Sequence, residues 1–238
     1  MVNVDKDRVK IDLALEILPP STKRAFEFCT KEPFFSKDWY LAGGTAMALQ
    51  VGHRQSVDLD FFTPRGEFDE AFVEREMFNT GKWETTFREK GTLYGKYRGA
   101  KMSFIAYPFF HPSRKKIKVG NVNILIVDDI AVMKIIAISQ RGRKRDFFDL
   151  FWYCQNREPL INVLQRVAKQ YPEQKHNFNH IVKSLTYFED AENDLMPVIL
   201  FRINWHDVKK FFLKEAKTIA QELFLSRPLK LQPRKKLK

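Results

Sequence analysis

From Leu41 to Phe62 the chain reads Leu-Ala-Gly-Gly-Thr-Ala-Met-Ala-Leu-Gln-Val-Gly-His-Arg-Gln-Ser-Val-Asp-Leu-Asp-Phe-Phe, and its last residues constrain the fold most. In a strand, residues two apart project from the same face, so Val57-Asp58-Leu59-Asp60-Phe61-Phe62 places two carboxylates side by side. Like charges so placed repel, and next to Phe61-Phe62 they fall in a strand expected to be largely buried, where uncompensated charge costs several kcal/mol. A divalent cation removes that penalty. Oxygen-only ligands favour a hard ion, Mg²⁺ or Mn²⁺.

Upstream, apolar Trp39 to Ala42, then Gly43-Gly44, then Thr45 to Val51 read as strand, glycine turn and helix, with the helix ending near Gly52. Glycines let a backbone approach a ligand closely, and the new helix offers free N–H groups to a phosphate. Either feature alone is commonly structural: a glycine pair as a turn, Asp-x-Asp as a solvated strand end. Here Gly44 and Asp58 stand fourteen residues apart across one short helix.

A second block runs from Asp129 to Leu150. Ile130, Met133, Lys134, Ala137 and Ile138 recur at helical spacing, so Lys134 lies on or beside an apolar stripe. It either snorkels to water or aims its ammonium into a cleft at a triphosphate. A basic loop follows, Arg141, Arg143, Lys144 and Arg145, with Gly142 as a helix break. Asp146 and Asp149 then sit one helical turn apart. Asp146 suits a helix N-terminus as a capping residue; Asp149, among aromatic neighbours, calls for a partner, Arg145 or Lys134. Asp129 reads as the N-cap of the Lys134 helix.

Gly-Gly-Thr, a short helix, Gly-His-Arg-x-Ser and Asp-Leu-Asp-Phe-Phe resemble the first motif of the AbiEii/AbiGii-type nucleotidyltransferase toxins, of the polymerase-β-like superfamily. The block 129–150 resembles that family's lysine helix followed by its Arg-Asp-x-x-Asp-Leu helix, and the similarity covers roughly residues 38 to 153. The resemblance implies an α+β fold: a polymerase-β-like nucleotidyltransferase core, with a mixed, mostly antiparallel sheet and flanking helices, then a helical C-terminal domain. It implies metal-dependent transfer of NMP from an NTP to RNA (tRNA included) or protein, by the toxin half of a type IV AbiE-like toxin–antitoxin pair with a cognate antitoxin. Asp58 and Asp60 would bind Mg²⁺ or Mn²⁺, and Gly43, Gly44 and the Thr45 hydroxyl would hold the nucleotide phosphates. Lys134 would contact the triphosphate; Asp149, with Asp146, would orient it or meet the acceptor. Arg54 and Ser56 match the motif as phosphate ligands, and a plain surface turn accounts for them equally. One departure matters. Many polymerase-β-like enzymes add a third carboxylate from a neighbouring strand, whereas the candidates here, Lys101 to Tyr107 and Val122 to Val127, have no internal acid. Two alternatives remain open: an antibiotic-type small-molecule nucleotidyltransferase, and a non-catalytic nucleotide- or RNA-binding protein.

The 238 residues, 44% apolar and with 22 phenylalanines, suffice for a sizeable core. The expected division is an N-terminal helix (1–20), the nucleotidyltransferase core (21–128), a helical domain completing the cleft (129–226) and a basic, disordered tail (227–238). Val9 to Leu18 reads as a helix stopped by Pro19-Pro20, with Ser21-Thr22 capping a second through Cys29, and Glu67 to Asn79 as a third helix. Trp83 to Glu89, Thr92 to Tyr97 and Met102 to Tyr107 form an antiparallel meander. No run matches a membrane span, the N-terminus lacks signal-peptide character, and Cys29 and Cys154 form no pair pattern, so a cytoplasmic protein with reduced thiols is expected. His53, His111, His176, His180 and His206 share no zinc spacing with them. A net charge of +12 points to an acidic partner, although six basic residues fall in Arg227 to Lys238. Arg114 to Lys116 and Arg141 to Arg145 carry more of it, and suit an RNA acceptor or a triphosphate.

Overall fold

The computed structural model describes residues 12–225. A seven-stranded mixed sheet, mostly antiparallel, is flanked by helices, and residues 127–225 are mainly helical. In chain order the elements are α1 (Pro20–Lys31), β1 (Tyr40–Ala42), α2 (Gly43–Val51), β2 (Leu59–Thr63), α3 (Glu70–Phe78), β3 (Trp83–Glu89), β4 (Thr92–Tyr97), β5 (Ala100–Ala106), β6 (Ile117–Val119) and β7 (Val122–Ile124). Then come α4 (Val127–Arg141), α5 (Lys144–Asn156), α6 (Leu160–Gln170), α7 (Phe178–Ser184), α8 (Glu189–Glu192) and α9 (Trp205–Leu225). The strand order is β3-β4-β5-β2-β1-β7-β6, with β2–β5 and β1–β7 parallel and the other pairs antiparallel.

Alternation along β2 sets the two faces of the sheet. Leu59 and Phe61 are fully buried, whereas Asp60 and Phe62 are only partly so. On the buried face Phe104 stacks on both Phe35 and Phe61, Phe35 and Phe61 meet tilted, and Trp39 packs edge-on to Phe104. Asp60 and Phe62 look the other way, towards α4 and α5. α4 is apolar around most of its circumference and packs against α2, α5, α6 and α7. The buried apolar residues form one cluster from Ile17 to Ile219.

Several local expectations change. Of the Val9–Leu18 helix, residues 9–11 lie outside the described residues, and the rest holds only a 3-10 turn at Leu15–Ile17; the Ala14 amide bonds to Leu49 and the prolines stop propagation. Ser21 and Thr22 do not cap α1. Pro20 is its first residue, where a missing N–H costs nothing, and the Thr22 hydroxyl donates to the Val57 carbonyl. The helix expected from Glu67 to Asn79 starts only at Glu70, because Asp69 caps it by accepting from the Phe72 amide. Val122 to Val127 is a three-residue strand because Val127 already begins α4, and its hairpin partner β6 is an addition to the expected elements. Asp129 lies inside α4, whose N-cap is Ile126. Fully buried, its carboxylate accepts from Ser113 and from Gln170, tying the loop after β5 and the end of α6 to α4. The basic tail expected at 227–238 lies outside the described residues.

Candidate active site

A cleft of about 710 Å³ opens between the exposed face of β2, β5 and β4 and the facing side of α4 with the start of α5. All but one of the site residues expected from sequence line it: Gly43, Gly44, Thr45, Arg54, Ser56, Asp58, Asp60, Lys134 and Asp146. Asp149 lies behind the wall, fully buried.

The floor carries the two carboxylates. Asp58 immediately precedes β2 and Asp60 is its second residue, opposite Ala42 on β1 and Ser103 on β5. Ser103 therefore occupies the neighbouring-strand position, and its hydroxyl donates to Asp60 Oδ1 at 2.6 Å. Burial raises the Asp60 pKa; the Ser103 hydrogen bond offsets part of this and the charge of Asp58 adds to it. Asp58 Oδ1 is buried without a hydrogen-bond partner, while Oδ2 lies 3.3 Å from Arg145 Nη1. An orphaned carboxylate oxygen beside a carboxyl group that resists ionisation fits a hard divalent cation, Mg²⁺ or Mn²⁺. Among the described residues, no group of three or more His, Cys, Asp or Glu side chains could hold one. Such an ion at Asp58 and Asp60 would complete its shell with water or substrate oxygens.

Two glycines open α2 for separate reasons. Gly43 has φ +71°, and a Cβ there would lie 3.0 Å from Asp60 Oδ2. A Cβ on Gly44 would fall 2.0 Å from Arg54 Nη2. Side chains at either position would push into the carboxylate or the guanidinium. Both glycines line the cleft at the start of α2, where first-turn amides have no partner within the helix. The Thr45 hydroxyl, buried, donates to the Asp58 carbonyl and lies 2.7 Å from the Ser56 hydroxyl, so these two side chains pin the segment leading into β2.

Behind the glycines runs a buried chain of ions. Lys134 Nζ is 2.6 Å from Asp146 Oδ1 and 2.7 Å from Asp149 Oδ2. Arg54 grips Asp149 with Nε at 2.5 Å and Nη2 at 2.9 Å, and His53 Nε2 lies 2.7 Å from Asp149 Oδ1. Burial alone would raise the Asp149 pKa, but the charges of Arg54 and Lys134 and the hydrogen bonds outweigh it and hold the carboxyl well below its usual range. Burial lowers the His53 pKa, only partly offset by Asp149, so its neutral ring donates from Nε2. Two cations and two carboxylates thus balance in a buried network behind the cleft wall, and an ammonium with three donors keeps one for the cleft. Asp149 finds Lys134 as expected, but its second cation is Arg54; Arg145 turns to Asp58 instead. Asp146 is the third residue of α5 and spends Oδ1 on Lys134, with Arg141 Nε 3.6 Å from Oδ2.

Sequence reasoning missed His53, Ser103 and the basic lip formed by Lys96 and Lys101. His53 stood in an apparent surface turn, and Ser103 was a lone small polar residue in an apolar strand. Only pairing over 43 residues brings Ser103 to Asp60.

The geometry accords with comparisons to known proteins. The family described as "Nucleotidyl transferase AbiEii toxin, Type IV TA system" matches residues 26–119 and 113–227. An uncharacterized protein of Aquifex aeolicus is 37% identical over 183 residues, 76% of this chain and 87% of that protein. Among solved structures, the nucleotidyltransferase toxin MenT4 of Mycobacterium tuberculosis superposes with a TM-score of 0.49 at 14% identity, over 88% of this chain and 96% of its own. An antigenic nucleotidyltransferase-like protein from Paracoccidioides brasiliensis gives 0.36 at 16% identity, over 60% and 84%.

Proposed function

Because the chain belongs to the AbiEii family of nucleotidyltransferase toxins, we propose that it moves NMP from an NTP to a macromolecular acceptor, depends on Mg²⁺ or Mn²⁺ held by Asp58 and Asp60, and is restrained by a cognate antitoxin protein. One observation carries this reading: a carboxylate pair with an orphaned oxygen lines one cleft with the glycine start of α2 and a buried ammonium. In such a transfer the acceptor oxygen bonds to the α-phosphorus as the bond to pyrophosphate breaks and the hydroxyl proton is released. The protein's part is positioning and charge stabilisation. The α2 amides and Lys134 would hold the β- and γ-phosphates; Asp146 and Asp149, paired with Lys134, would aim its ammonium; Arg145, freed from Asp58, would meet a phosphate oxygen. When bound, the cation would neutralise phosphate charge beside the carboxylates.

The test is label transfer from each α-labelled NTP, with Mg²⁺ or Mn²⁺, to total RNA and to protein. Asp58→Asn and Asp60→Asn are each expected to lower transfer by at least about 100-fold, the scale at which lost electrostatic stabilisation acts. Transfer surviving in both variants would remove the metal assignment, and no transfer with any NTP would leave a binding protein.

A further inference from the structure

Lys96 and Lys101 are direct cross-strand partners on β4 and β5, and both line the cleft. Like charges placed directly opposite destabilise a strand pair, so the arrangement asks for an anion. Glu84, across from Lys96 on β3, closes no ion pair with it, and neither lysine has a partner among the described residues.

Sheet order says which anion. Across the floor run the start of α2 after β1, then Asp58 and Asp60 at β2, then Lys101 on β5 and Lys96 on β4. In-line transfer puts the leaving pyrophosphate and the attacking oxygen on opposite sides of the α-phosphorus. With the triphosphate against α2 and Lys134, pyrophosphate departs on the β1 side. The acceptor then arrives over β5 and β4, where the two lysines stand. Lys101 and Asp58 also line an adjoining cavity of about 150 Å³, so the path continues past the carboxylates. We propose that the Lys96–Lys101 pair docks the phosphodiester backbone of a polynucleotide acceptor, an inference resting on the nucleotidyl-transfer reading.

The test compares full-length wild type, Lys96→Gln/Lys101→Gln and Lys96→Arg/Lys101→Arg. Each is measured for binding of a fluorescent single-stranded RNA oligonucleotide across salt, for NTP binding, and for label transfer to that RNA. The segment 227–238 is present throughout, so its contribution cancels. The Gln pair should weaken RNA binding roughly ten-fold at low salt and flatten log K against log salt by about 1.4, the slope for two lost single-strand phosphate contacts. NTP affinity should hold, and the Arg pair should behave as wild type. A Gln pair that binds RNA normally, or loses NTP affinity instead, overturns the proposal, as does label going to protein with RNA affinity unmoved. Lysine-dependent RNA binding without label transfer would uphold the docking site and sink the transfer reading alone. Undiminished RNA transfer at unchanged KM in the Gln pair would do the reverse.

Discussion

At Asp149 two cations and an imidazole converge on one carboxylate that never touches the cleft. It pairs with both Lys134 and Arg54, and its removal leaves Arg54 without its paired carboxylate and Lys134 with Asp146 alone. Asp149→Asn is expected to cost about 3 to 5 kcal/mol, the range for breaking a buried pair at one partner. The pH dependence follows from the lowered pKa. In the unfolded chain the group titrates near pH 3.9, and in the folded chain well below it, so its contribution is complete above roughly pH 3.9 and is lost as pH falls through the folded value. Urea titrations of wild type and Asp149→Asn should therefore show a constant gap from neutrality to about pH 5, closing only below about pH 4. A gap that closes between pH 7 and pH 5 would implicate His53 instead.

At the level of elements, α5 is held from outside. Its N-cap, Arg143, makes no side-chain cap bond; instead Asp194 Oδ2 accepts from the Lys144 amide at 2.9 Å and Oδ1 from Arg143 at 2.7 Å. Lys144 Nζ returns to the Glu192 and Asp194 carbonyls. The segment before residue 195 thus fixes the helix turn that carries Arg145 and Asp146. Asp194→Ala should cost about 1 kcal/mol, as a lost cap does, speed amide exchange at residues 144–147 and raise KM for NTP. Unchanged exchange there would mean that packing alone holds the turn. Sequence carried the longer helices because their apolar spacing is local; strand alternation put Asp60 on the cleft face, and Asp58, expected in the same strand, lies just ahead of β2 and lines the same cleft. Sequence could not carry Asp194, fifty residues from Lys144, or Ser103, whose meeting with Asp60 depends on strand register. Asp129 looked like a cap because it follows a strand; tertiary contacts with Ser113 and Gln170 put it inside the helix. β6 escaped because Ile117–Val119 is too short for a period, though Gly120 marks its turn, with φ +57° and the Thr30 carbonyl where a Cβ would stand.

Across the whole molecule, the expected division near residue 128 meets a core that crosses it. Met47 and Leu49 of α2 and Ile130 and Ile135 of α4 belong to one buried cluster, and the ion chain ties Arg54, before β2, to Lys134 and Asp149 beyond the boundary. A helical half cut away at residue 128 would expose the apolar circumference of α4 and leave Arg54 without its bonded carboxylate, Asp149. We therefore expect the halves to unfold together despite the chain's length. Single-tryptophan variants retaining Trp83, buried in the sheet, or Trp205, at the start of α9, report the two halves separately. Their urea midpoints should coincide with each other and with far-UV circular dichroism. Mg²⁺ with a non-hydrolysable NTP should raise all three midpoints together, because a ligand bound across the cleft stabilises only the state in which both walls are folded. Separate midpoints, or a ligand shift confined to Trp83, would show that the sheet-bearing half stands alone and that the helices close the cleft as a second folding unit.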